Sequence, residues 1–161
     1  MKKIAARSIE EIMRTEFASL RPEDRLDLAD QVMKLGRVRH LPVLDDEGRL
    51  VGIVSNRDLL EASLTSVLSF ETSERRGFLR SIGVSEVMKA EVETVGPQTP
   101  LGVAAGRMIR NKIGCLPVVR DDGTMVGLVT ETDLLIAAYL SDSDSQASDG
   151  PTDRGDSSSD E

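Results

Sequence analysis

RHLPVLDDEGRLVGIVSNRDLL, Arg39 to Leu60, contains a hairpin and the start of a helix. LPVL reads as a short buried strand and LVGIV as its return strand. The turn between them, DDEG, ends on Gly48, where a positive φ is expected. Ser55 and Asp58 then stand three residues apart, immediately before the apolar pair Leu59 and Leu60. The stretch has a second version, GCLPVVRDDGTMVGLVTETDLL, Gly114 to Leu135.

Sliding the chain against itself by 75 residues extends this likeness without a gap, and 18 of 52 pairs between Ile9/Val84 and Leu60/Leu135 are identical. They include Met13/Met88, Pro22/Pro97, Leu26/Leu101, Ala29/Ala104, Met33/Met108, Gly52/Gly127 and Asp58/Asp133. Chance would give only a few, so the chain is an internal duplication. Each copy begins with an amphipathic turn (Ile9, Ile12, Met13; Val84, Val87, Met88). A brief extended stretch follows (Phe17 to Leu20; Val92 to Val95), then a Pro-containing turn. The next helix carries Leu26, Ala29 and Met33 at i, i+3 and i+7, one face. The hairpin and a second helix close the unit.

The expected fold class is therefore α/β in the α+β sense, two β-α-β-β-α repeats spanning 8–68 and 84–140. At roughly 50 residues a copy cannot bury a full core alone, so the two pack about a pseudo-two-fold axis. Ser69 to Gly83, SFETSERRGFLRSIG, reads as a polar and basic connector. Residues 141–161 are rich in Ser and Asp and have no aliphatic side chain larger than Ala, which predicts a disordered acidic tail.

The tail carries −6 of the net charge of −8, leaving the body nearly neutral. That argues against duplex DNA, whose binding needs a basic face. With three Phe, one Tyr and no Trp there are few stacking platforms for single strands. The single cysteine, Cys115, permits no intrachain disulfide, and no stretch has the ~18 apolar residues of a membrane span. MKKIAARSIEEIM lacks an apolar leader core, so a reducing cytoplasm is the expected compartment. With one histidine, His40, no nucleophile–base pair and no metal-ligand spacing is readable, so neither catalysis nor a metal is expected. Asp45-Asp46-Glu47 and Asp121-Asp122 read as solvated hairpin turns.

The tandem unit, with LPV, a Gly-containing hairpin and the string G-h-V-[ST]-x-x-D-h-h in both copies, resembles the CBS domain, paired as a Bateman module. The resemblance covers residues 8 to about 138. It implies a regulatory module that senses an adenine nucleotide (AMP, ADP or ATP), forms a homodimer and signals to an unidentified protein partner. No covalent cofactor is implied.

SNRD and TETD admit two readings. As capping boxes, Ser55 or Thr130 satisfies an orphan helix N–H, and Asp58 or Asp133 reaches back, a role worth about 1 kcal/mol each. The same helix start also suits a phosphate. The resemblance implies Ser55 and Thr130 toward phosphate, and Asp58 and Asp133 toward ribose. It also implies phosphate-clamping by Arg39 and His40 just before LPV, with Arg57 nearby. The base would lie against Phe17 and Ala18. Copy two has Gly114 and Cys115 in place of the basic pair, and Glu93 in place of Ala18, so its site is expected to be weaker, or to prefer a ligand with less charge such as an adenosyl group without phosphates. Arg14 and Lys89 follow Met13 and Met88, and their sequence context leaves open whether they face solvent or phosphate. A ligand-free scaffold, whose [ST]xxD motifs only cap helices, is the alternative.

Overall fold

The computed structural model describes residues 7–64 and 72–146. A 3₁₀ turn, Ile9–Glu11, leads into α1 (Leu26–Gly36), β1 (His40–Leu44), β2 (Leu50–Ser55) and α2 (Asn56–Leu64). Then come α3 (Thr72–Ser81), α4 (Val84–Val87), α5 (Leu101–Asn111), β3 (Cys115–Val119), β4 (Met125–Thr130) and α6 (Glu131–Gln146). Two antiparallel hairpin sheets, β1–β2 and β3–β4, carry the two repeats. Gly48 and Gly123 occupy the expected turn positions with φ of 77° and 86°. The helix faces are those of the 3.6-residue period: Leu26, Ala29 and Met33 are buried in α1, and Leu101, Ala104 and Met108 in α5.

The first strand of each unit shrinks to a single parallel bridge, Leu20 to Val43 and Val95 to Val118. Leu20 N–H donates to the Pro42 carbonyl at 2.9 Å, and Leu44 N–H donates back to Leu20 at 2.8 Å. The next donor along that edge toward Ala18 would be the nitrogen of residue 42. Proline has no N–H, so the ladder stops. Pro117 imposes the same limit on copy two.

The pseudo-two-fold relation is visible in the backbone. The bridge Arg14 to Leu128 has its mate in Lys89 to Ile53, and Ser8 to Pro100 in Gly83 to Arg25. Arg49 to Thr124 joins equivalent residues of the two hairpin turns, so the axis passes between them. Around this axis the leading turns change partners. Ile9 is fully buried in the second copy's core with Leu101, Leu116, Val118 and Val129. Val84 is fully buried in the first copy's core with Leu26, Leu41, Val43 and Val54.

This exchange explains Gly127. A Cβ there would lie 2.6 Å from the Met13 sulfur and 3.1 Å from the Arg14 carbonyl oxygen. The thioether can turn aside, but that carbonyl accepts from Leu128 N–H at 2.9 Å. Gly127→Ala is expected to cost about 1–3 kcal/mol of stability, measured by urea unfolding.

Two elements add to the sequence reading. The polar connector contains a ten-residue helix, α3. Its Leu79 is 2% exposed and belongs to the first core. Arg80 and Arg75 reach Asp27 and Asp30 of α1 at 3.3 and 3.7 Å. Leu79 anchors the helix, with Phe78 half-buried beside it, although most of its residues are polar. At the other end, α6 continues to Gln146, past the expected start of the acidic tail at 141. The remainder of that tail lies outside the described residues.

Candidate functional site

Each [ST]xxD motif lies where a return strand runs into a helix. Ser55 ends β2, and its register partner is His40, the first residue of β1. The Asn56 N–H donates to the Arg39 carbonyl at 2.8 Å, closing the strand end onto α2. Four residues expected at one site, Arg39, His40, Ser55 and Asp58, are thereby brought to one edge.

The capping geometry is complete. Asp58 Oδ2 accepts from the Ser55 N–H at 2.7 Å and from its hydroxyl at 2.8 Å, while Asp58 N–H donates to Ser55 Oγ at 3.1 Å. Asp133 Oδ2 accepts from the N–H and hydroxyl of Thr130, both at 2.9 Å. Asp133 N–H returns a longer 3.3 Å bond to Thr130 Oγ1. Both carboxylates are buried, Asp58 at 5% exposure and Asp133 at 9%.

The second oxygen of each carboxylate faces the other repeat. Arg14 donates through Nε and Nη2 to Asp133 Oδ1 at 3.0 and 2.9 Å. Lys89 Nζ stands 3.5 Å from Asp58 Oδ1. These two cations, unassigned from sequence, thus face the motif aspartates. Their equivalent places in the 75-residue register were visible in the sequence; their crossing to the opposite repeat was not.

His40 is half-buried, and desolvation holds its pKa below the ordinary 6.5. The Asp58 carboxylate opposes that shift, and the Arg39 and Lys89 charges reinforce it. Cys115, the counterpart of His40, pairs in register with Thr130. Burial, followed by the Asp133 carboxylate, pushes its thiol up to about 12, so it remains a neutral apolar group. A Cβ on Gly114 would meet Glu131 Oε1 at 3.3 Å, so an acidic side chain lies over the position Arg39 holds in copy one.

Other expected residues stand further out. Arg57 is exposed, with its Nε 3.3 Å from Glu61 one turn along α2. Phe17 is half-buried and Ala18 exposed, on the stretch that fails to form a ladder. The turn carboxylates fold back on their own hairpins: Asp45 Oδ1 accepts from the N–H of Glu47 and Arg49 at 3.0 and 2.9 Å. A cavity of about 410 Å³ lies elsewhere, between α1 and α3, lined by Asp27, Asp30, Lys34, Arg75 and Arg76.

The family model of the CBS domain matches residues 9–65 and 84–139. The chain belongs to the CBS-domain family. A CBS domain-containing protein of Dictyostelium discoideum is 32% identical over 127 residues, covering 79% of this chain and 88% of that protein. Inosine-5'-monophosphate dehydrogenase of Mycobacterium tuberculosis is 36% identical over 124 residues, 76% of this chain but 21% of the enzyme. Among solved structures, CBSX2 in complex with AMP superposes with a TM-score of 0.72 at 26% identity, covering 84% of this chain and 98% of that one. Among the described residues, no helix is long and apolar enough to cross a membrane.

The histidine of the first CBS repeat makes stability pH-dependent. Its folded pKa is depressed, so the unfolded chain binds the proton more tightly. The stability is fully present above the ordinary value of 6.5 and is lost as pH falls through it. His40→Gln is expected to flatten the fall in thermal midpoint from pH 6.5 to about 5, where most carboxylates stay ionised.

Proposed function

We propose that the chain is a regulatory ligand-sensing module that binds an adenine nucleotide (AMP, ADP or ATP), mainly at its first CBS repeat. One observation carries the reading: the two motif edges are unequal. The first combines Asp58 with His40 and Arg39, whereas the second has Cys115 and Gly114 under the Glu131 carboxylate. Phosphates favour the edge that carries the Arg39 cation and the neutral His40 donor, and are repelled by the Glu131 carboxylate at the other. In this arrangement Asp58 Oδ1 accepts from ribose hydroxyls, and Ser55 turns its hydroxyl from Asp58 Oδ2 toward a phosphate at the start of α2. His40 and Arg39 flank the phosphates, and the base lies near Phe17 and Ala18. Thr130 and Asp133 form the weaker second site. The likeness to an AMP-bound CBS structure supports this choice of ligand.

Apolar side chains stand exposed on the outer helices, Leu35 at 87%, Ile109 at 77% and Leu135 at 68%. They support assembly as a homodimer and docking of a protein partner; the compartment we propose is the cytoplasm. Ligand acts by population shift and must bind one arrangement better than another to signal.

The complete capping boxes favour a second reading, a ligand-free scaffold. Calorimetric titration of the full chain with AMP separates the two. Saturable binding that survives Asp133→Asn and fails in Asp58→Asn supports the sensor. A folded protein that takes up no AMP, ADP or ATP supports the scaffold.

A further inference from the structure

Asp133 has no acceptor capacity left. Its Oδ2 takes two donors from Thr130, and its Oδ1 takes two from Arg14. An ionised carboxylate offers about four lone-pair directions, and all are filled. Asp58 differs at one oxygen. Its Oδ2 takes two donors from Ser55, but its Oδ1 faces Lys89 at 3.5 Å, an ion-pair distance well beyond a good hydrogen bond.

The difference lies in the cation. Arg14 and Lys89 occupy equivalent places, 75 residues apart. Both are tied down by paired backbone bonds, Arg14 to Leu128 at 2.9 Å in each direction and Lys89 to Ile53 at 2.9 and 3.0 Å. Arginine presents a planar fork whose donors converge on the oxygen. Lysine presents a compact ammonium on a flexible stem, free to swing toward a phosphate.

We infer that Arg14 decides how many nucleosides the module binds: its guanidinium occupies the ribose-binding carboxylate of the second repeat from within, leaving the first repeat as the open site. The inference rests on the adenine-nucleotide reading above. It makes the second site a self-occupied position that a single substitution opens. It also makes Lys89 the permissive counterpart.

The test is calorimetric titration of the full chain with AMP, and with adenosine, which lacks the phosphate that Glu131 repels. Wild type is expected to bind one equivalent. Arg14→Ala is expected to bind a second equivalent of adenosine, which disappears when Asp133→Asn is added. Arg14→Lys keeps a cation beside Asp133, guards against loss of fold, and is expected to admit the second equivalent too. Lys89→Arg is expected to weaken AMP at the first site roughly tenfold. Two equivalents in wild type, or one in both wild type and the folded Arg14 variants, overturns the inference. No binding in wild type with one equivalent in Arg14→Ala overturns the first-repeat sensor while upholding closure by Arg14. No binding in any variant overturns both.

Discussion

Ile9→Ala is expected to lower the unfolding free energy by about 2–5 kcal/mol, although Ile9 sits in the leading turn of the chain. Its side chain is fully buried, and its neighbours are Leu101, Leu116, Val118 and Val129 of the second repeat. Truncation removes the transfer free energy of the lost carbons. It also leaves a cavity that cannot close, because the turn is fixed by Ile9 N–H to Thr99 at 2.9 Å and Glu10 N–H to Pro97 at 2.9 Å. Urea unfolding measures the total loss. Hydrogen exchange locates it: protection should fall first in β3–β4, far along the chain from the substitution. A loss confined to β1–β2 would place the turn with its own repeat and contradict the exchange.

Asp58→Asn is expected to weaken AMP binding by about a hundredfold or more, since a charged acceptor for ribose hydroxyls is lost. Asparagine keeps one carbonyl oxygen for the Ser55 N–H, so the helix start retains part of its cap. Its amide N–H₂ then replaces Oδ1 and faces the Lys89 ammonium, donor against donor. The accompanying stability loss should stay near 1 kcal/mol, the scale of a cap. Calorimetry with AMP and thermal melting of the same samples separate the roles. Lost affinity with a nearly unchanged melt identifies a ligand carboxylate. A lowered melt with unchanged affinity identifies a cap and nothing more. Asp133→Asn should leave AMP affinity unaltered, because that carboxylate is already saturated by Thr130 and Arg14.

The repeat, the helix faces and the hairpins were legible from residue order because each depends on neighbours a few positions apart. Leu26, Ala29 and Met33 share a face by helical period, and Gly48 turns a hairpin through its own φ of 77°. The Ser55–Asp58 pair was legible for the same reason, and both of its local roles rest on one geometry. Helix α3 was hidden because Leu79 is the one fully buried side chain among its described residues, in a stretch rich in polar and basic residues, and its ion pairs to Asp27 and Asp30 form only in the fold. The shortened first strand was readable in principle. Pro42 and Pro117 announce a missing donor, but its consequence depends on which edge of the strand the partner uses.

The choice of partner for each leading turn required the folded chain. Duplication made two grooves of nearly equal chemistry, so Ile9, Ile12 and Met13 match either one in pattern. Residue order cannot break that tie, because the deciding bonds, such as Ile9 N–H to Thr99 and Val84 N–H to Asp24, join residues far apart in the chain. The same crossing sets Arg14 against Asp133 and Lys89 against Asp58. Local sequence therefore already made the two motif edges unequal, Arg39 and His40 against Gly114 and Cys115, and packing across the pseudo-two-fold axis set a cation of the opposite repeat against each motif aspartate.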